Sequence, residues 1–141
     1  MGEDTNNLSW LLLRVSLRAK KGLIKLAEAY ELTTMQAFAL CLLNPERQLP
    51  MHSLSEMLVC DASNVTGIVD KLLGSGYIER KESDTDRRVN TISLTKKGTQ
   101  LRGEFLKKIT EDYLPTIATL SHKEKEIFTN LLIKILAETS R

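Results

Sequence analysis

From Leu8 to Tyr30, apolar side chains return at helical spacing. Leu8, Leu12, Val15, Ala19, Leu23 and Leu26 fall near one stripe, and Arg14, Arg18, Lys21 and Lys25 lie largely off it. The pattern predicts a long amphipathic helix. Thr33, with Gln36 three residues on, makes a capping box that opens a second helix carrying Phe38, Leu40, Leu42 and Leu43. Pro45 stops it and Pro50 follows, so "NPERQLP" reads as a connector. Ser53 and Glu56 make another capping box, and Leu54, Met57 and Leu58 give a third helix its apolar side. "CDAS" breaks that helix. A fourth runs from about Ala62 to Ser75, with Val65, Ile68, Val69, Leu72 and Leu73 at i, i+3, i+4, i+7 and i+8. Gly76 suits the position just past its end.

The hydrophobic period then shortens to two. Tyr77, Ile78 and Glu79 lead outward in the short strand "YIERKES". "VNTISLT" returns, Ile92 and Leu94 alternating against Thr91 and Ser93. The hairpin loop holds Asp84, Thr85, Asp86, Arg87 and Arg88. Thr95 caps a fifth helix carrying Leu101, Phe105, Ile109 and Tyr113, which Pro115 ends or kinks. Ser121 and Glu124 form a third capping box, and Ile127, Leu131, Ile135 and Leu136 run down one side of a last helix. The predicted fold class is mainly α with a small β-hairpin wing. Its core is a winged helix-turn-helix at about 33–95, flanked by N- and C-terminal helices at 1–32 and 96–141 that form a separate layer.

Composition adds limits. A chain of 141 residues is one domain, long enough to bury a core without staples. Cys41 and Cys60 form no C-x-x-C pair and read as small buried hydrophobes in a reducing compartment, with redox sensing as the alternative. "MGEDTNN" resembles no secretory signal and the apolar runs are too short to span a bilayer, so a cytoplasmic protein without a membrane partner is expected. Net charge is only +2, so clustering rather than bulk charge must carry any nucleic-acid reading. Arg80, Lys81, Arg87, Arg88, Lys96 and Lys97 gather around the hairpin.

The fourth helix has a second face of Ser63, Asn64, Thr66, Gly67, Asp70 and Lys71. Short hydrogen-bonding side chains near a helix N-terminus are what a recognition helix offers to base edges and phosphates. A helix-interior glycine costs roughly 1 kcal/mol against alanine, which close approach of another surface offsets. The plain alternative is a solvated face. The hairpin shifts the balance. An arginine at a ribbon tip gains little from one exposed acid, whereas a narrow minor groove attracts it. Asp86, two residues before Arg88, can hold that guanidinium in position.

"SNVTGIVDKLLGSGYIERKESDTDRRVNTISLTKKG", Ser63 to Gly98, resembles the signature of the multiple-antibiotic-resistance regulator (MarR) family. The family's D-x-R-x5-L-T pattern falls on Asp86, Arg88, Leu94 and Thr95. "YELTTMQAFALCLL" and "LSHKEKEIFTNLLIKIL" resemble its second and last helices, so the likeness covers nearly all of 1–141 as a single domain. The resemblance implies a homodimeric transcription regulator, most often a repressor, whose terminal helices interlock and whose lobes each bind half of a pseudo-palindromic operator in double-stranded DNA. It implies that Arg88 enters the minor groove and that Asp86 positions it. It also implies release by a small aromatic or amphipathic effector held between the dimer layer and the lobe. The peroxide-sensing branch keeps its cysteine in the first helix, where this chain has none.

The rival classes are weaker. His52 and His122 sit in no catalytic or metal spacing, and no P-loop, G-x-G-x-x-G or G-x-S-x-G occurs, so neither an enzyme nor a cofactor is expected. A winged-helix protein-interaction module would want aromatic or aliphatic anchors where the fourth helix is polar. Trp10, Arg14, Met35, Met51 and His52 are the candidate liners of an effector pocket, with plain packing as the alternative for each.

Overall fold

The computed structural model describes residues 7–60, 62–83, 85–86 and 89–138, the side chains of Ala19, Ala62, Tyr113, Leu114, Thr116 and Glu138 excepted. These residues form α1 (Leu8–Ala29), α2 (Thr34–Leu42), β1 (Leu49–Pro50), α3 (Met51–Leu58), α4 (Ala62–Gly74), β2 (Ile78–Glu82), β3 (Asn90–Leu94), α5 (Lys96–Ile117) and α6 (His122–Glu138). The expected mainly helical, winged helix-turn-helix architecture is the observed one.

Two of the three predicted capping boxes close as expected. Thr33 Oγ1 accepts the Gln36 N–H at 3.2 Å while Gln36 Oε1 accepts the Thr33 N–H at 2.9 Å. Ser121 and Glu124 repeat the exchange at 3.3 and 2.8 Å. The third helix differs. α3 begins at Met51, straight after Pro50, and no side chain caps it, so Ser53 stands inside the first turn. Proline's fixed φ, here −59°, carries the chain from β1 into the helix without a capping residue.

The connector "NPERQLP" also holds a strand. β1 pairs antiparallel with β3, Leu49 opposite Ile92 and Pro50 opposite Thr91, and the sheet order is β1-β3-β2. The return strand of the hairpin is therefore central. Thr91 and Ser93, expected to face outward, are buried with Ile92 and Leu94. Their hydroxyls are satisfied. Thr91 Oγ1 lies 2.9 Å from the Lys81 carbonyl oxygen and 3.0 Å from Gln48 Oε1, and Ser93 Oγ donates to Glu79 Oε1 at 3.4 Å. Pro115 does not end α5, which runs on to Ile117. A proline removes one backbone hydrogen bond, a loss that a helix of 22 residues tolerates here.

Leu40, Leu43, Leu54, Val69, Leu72, Ile92 and Phe105 are fully buried, so α2, α3, α4, β3 and the first half of α5 share one core. Leu23 and Ala27 of α1 join it. α1 lies close against α5: a Cβ built on Gly22 would stand 2.7 Å from Asp112 Oδ2. Tyr30 donates its phenol proton to Glu104 and sets its ring edge-on to Phe105, the centroids 5.5 Å apart. The N-terminal half of α1 and all of α6 are different. Among the described residues, α6 packs substantially against no other element of its own chain. Its Ile127, Leu131, Ile133, Ile135 and Leu136 are 48–66% exposed.

One junction ties the fourth helix, the wing and the fifth helix together. Gly76 turns the chain after α4 at φ +72°, a left-handed conformation that glycine adopts without strain. Thr95 Oγ1 donates to the Gly76 carbonyl oxygen at 2.7 Å and accepts the Gly98 N–H at 3.0 Å. The Lys97 ammonium donates to the Ser75 carbonyl oxygen at 2.9 Å and sits 4.6 Å from the centre of the Tyr77 ring. This geometry leaves no room on Gly98, where a built Cβ would stand 1.8 Å from the Tyr77 carbonyl oxygen. Gly98→Ala should therefore lower stability by about 2–3 kcal/mol, the upper range for overpacking a tight site. Gly103→Ala, whose Cβ meets nothing within 4 Å, should hold or raise stability. Urea unfolding of both variants checks the contrast, and equal effects would contradict it.

Candidate nucleic-acid interface

α4 is held by one side only. Val65, Ile68, Val69 and Leu72 are buried in the core, while Ser63, Asn64, Thr66, Gly67, Asp70 and Lys71 are all exposed on the other side. The structure thus brings the six predicted α4 residues onto one outward surface. Gly67 gains nothing from the fold: a Cβ added there meets no atom within 4 Å. Among the described residues no close approach accounts for a glycine in the middle of this helix.

The wing stands beside that surface. β2 and β3 pair from Ile78 opposite Leu94 to Glu82 opposite Asn90. Ser83 pins the base of the turn. Its N–H reaches the Val89 carbonyl oxygen at 3.1 Å, and its hydroxyl oxygen accepts the N–H groups of Thr85 and Asp86 at 3.3 and 3.4 Å. Asp86 is exposed beyond it. Asp84, Arg87 and Arg88 lie outside the described residues.

The cations grouped around the hairpin in the sequence are not equivalent. Lys97 serves the junction described above. Lys81 pairs with Glu79 at 2.8 Å, and its ammonium hydrogen bond and charge hold the Glu79 carboxyl below the usual range. Arg80 reaches across from β2 to α4 and pairs with Asp70 at 3.1 Å. In the sequence Arg80 belongs to a basic cluster and has no role of its own. The only available signal was its ten-residue spacing from Asp70, which means nothing until the wing folds back along α4.

The proposed effector liners do not meet within one chain. Trp10 lies with Asn7, Ser9 and Leu13 along one concavity. Arg14 lies with Leu11, Val15, Leu17, Arg18 and Lys21 along another. Met51 and His52 share a third, of about 500 Å³, with Thr66, Arg80, Val89 and Asn90. Met35 is on the exposed outer side of α2. Cys41 and Cys60 are both half-buried free thiols. Burial pushes the Cys41 thiol up to about 11, against a smaller opposing pull from the Arg102 charge. Among the described residues no His, Cys, Asp and Glu cluster could hold a metal, and no helix is long and apolar enough to cross a membrane.

The family model named MarR family matches residues 32–89, which span α2 to the wing. The transcriptional regulator PapX of Escherichia coli is 31% identical over 139 residues, covering 94% of this chain and 82% of PapX. The chain belongs to the MarR family. It is thus a transcriptional regulator of a DNA-binding family. The repressor MprA of Escherichia coli K12 is 36% identical over 84 residues, 60% of this chain and 48% of MprA. PapX apart, the chain spans about half to two thirds of curated relatives that it matches. CouR from Rhodococcus jostii RHA1, solved with p-coumaroyl-CoA bound, shares the MarR fold with a TM-score of 0.81 over 96% of both chains at 19% identity.

Two outcomes follow from this geometry. Gly67→Ala should raise stability by up to about 1 kcal/mol, because its methyl group is unobstructed and alanine favours the helix. It should at the same time weaken binding to a duplex selected by the wild-type protein. Thermal melts and gel shifts read the two effects separately, and tighter or unchanged DNA binding would mean that nothing approaches α4 at Gly67. Cys41, with its pKa near 11, should be roughly a thousandth ionised at pH 8. Iodoacetamide should therefore label it far more slowly in the folded protein than in urea, as followed by mass spectrometry; equal rates would contradict the assignment.

Proposed function

We propose that the protein is a homodimeric, sequence-specific repressor in the cytoplasm that leaves its operator when a small aromatic or amphipathic effector binds. The outer surface of α4 carries this reading, above all Gly67, which has open space around it and no use inside the fold. In the proposal Ser63, Asn64, Thr66, Gly67 and Lys71 enter the major groove, and Asp86, Arg87 and Arg88 bring the wing to the adjacent minor groove and its phosphates. The winged lobe is 33–95, and 1–32 with 96–141 make the dimer layer.

The homodimer is supported by the apolar surface that α6 and the start of α1 leave uncovered, too large a surplus for a soluble monomer to carry without cost. A two-fold dimer places two α4 helices about one helical turn apart, on a pseudo-palindromic site. The repressor assignment follows the named activity of MprA, and effector release follows CouR, whose solved ligand is an aromatic acyl thioester. Trp10 and Arg14 belong to α1, in the proposed dimer layer, and Met35 is exposed at the start of α2, so in this proposal a second copy closes the effector pocket around them. Cysteine-based sensing is the lesser alternative, since burial keeps Cys41 protonated.

The test is selection of duplexes from a random library by the full chain, followed by light scattering and gel shifts at two salt concentrations. A dimer should emerge with a paired half-site and an affinity that falls steeply with salt. Arg88→Ala should lose about tenfold or more in affinity with a stability change within about 0.5 kcal/mol. A micromolar monomer that binds a palindrome at full strength would overturn the architecture, and wild-type affinity in Arg88→Ala would overturn the wing assignment.

A further inference from the structure

The Asp70–Arg80 pair is an odd place to spend an acid. Asp70 stands seven residues after Ser63, on the same exposed stripe of α4 that carries Thr66 and Gly67. A carboxylate on a surface that faces a polyanion repels it. Nor does the pair hold the fold together: the two side chains are 61% and 46% exposed, and exposed ion pairs add little to stability. The contact is nevertheless direct, Arg80 Nη2 to Asp70 Oδ1 at 3.1 Å, and it joins the recognition helix to the first strand of the wing.

Its location indicates what it is for. On B-DNA the ridge between a major groove and the neighbouring minor groove is a sugar–phosphate strand. A protein with α4 in one groove and the wing in the other must place over that ridge whatever lies between the two elements. Here that is Arg80, over the open concavity lined by Met51, His52, Thr66, Val89 and Asn90. An arginine reads a phosphate well only when its planar fork is already oriented, and one carboxylate oxygen at 3.1 Å orients it while leaving the other guanidinium nitrogens for a second acceptor.

We propose that Arg80 contacts a backbone phosphate between the two grooves and that Asp70 is its positioning residue, rather than a reader of bases. This rests on the DNA-binding reading above. It makes Asp70 favourable to DNA binding despite its charge.

The experiment uses the full-length protein and a duplex selected by the wild type from a random library, with affinity measured from 50 to 300 mM salt. Arg80→Gln should bind about tenfold more weakly on the selected duplex and on single-mismatch duplexes alike. Its log affinity against log salt should be shallower by about 0.9, the loss of one phosphate contact. Arg80→Lys should keep the slope. Asp70→Asn should weaken binding several-fold without changing sequence preference, although it removes a negative charge. The double variant Asp70→Asn/Arg80→Gln should be no weaker than Arg80→Gln alone. Circular dichroism melts should match wild type throughout. An unchanged slope in Arg80→Gln overturns the phosphate contact. Asp70→Asn binding as tightly as wild type or tighter, or shifting the preference at one base pair, overturns the positioning role. A wild type that enriches no duplex removes the DNA-binding reading, and this proposal with it.

Discussion

Three segments of this chain meet at one carbonyl-lined corner, and the rest of the structure depends on it. Thr95 donates to Gly76 at the end of α4 and accepts from Gly98 in the first turn of α5, while Gly98 lies against the Tyr77 carbonyl with no space for a side chain. A single threonine hydroxyl thereby caps one helix and closes the turn after another. Between those two points the chain goes out along β2 and returns along β3. The corner therefore fixes where the wing starts, where it ends and how it is aimed relative to α4. The "LTKKG" run of the family signature is, in this protein, the set of residues such a corner needs: a short hydroxyl, a lysine long enough to reach the Ser75 carbonyl oxygen, and a residue with no Cβ.

With the corner fixed, α4 is divided between two tasks. Its buried stripe belongs to the core, and its other face stays exposed. The consequence is visible in how the charges are used. Lys97 and Lys81 are engaged within the protein, and Arg80 is bridged to α4. In the proposed interface a near-neutral protein meets a polyanion through a few oriented groups rather than through bulk charge. That arrangement favours specificity, because unoriented cations bind every sequence alike.

The apolar surplus lies at the ends of the chain. α5 begins in the lobe core at Leu101 and Phe105 and runs out of it, and α1 returns to the same core at Leu23 and Ala27. Both long helices are therefore joined to the lobe at one end, and α1 carries exposed apolar side chains, Leu8 to Leu17, toward its other end.

The sequence by itself determined the helices, because an amphipathic period and a capping box are local: Thr33 with Gln36, Ser121 with Glu124 and the Val65–Leu73 stripe needed no distant partner. It determined the two-faced α4 and the wing for the same reason, and the family resemblance followed from those residues. Tertiary structure decided what depends on residues far apart in the chain. β1 exists only because Leu49 and Pro50 find β3, and that pairing buried Thr91 and Ser93 against the alternation their own strand suggested. The start of α3 moved to Met51 because Pro50 had already been placed by the sheet. The partner of Asp70 was ten residues away across a hairpin, and the scatter of Trp10, Arg14, Met51 and His52 over separate concavities was set by helix packing, which no local pattern records.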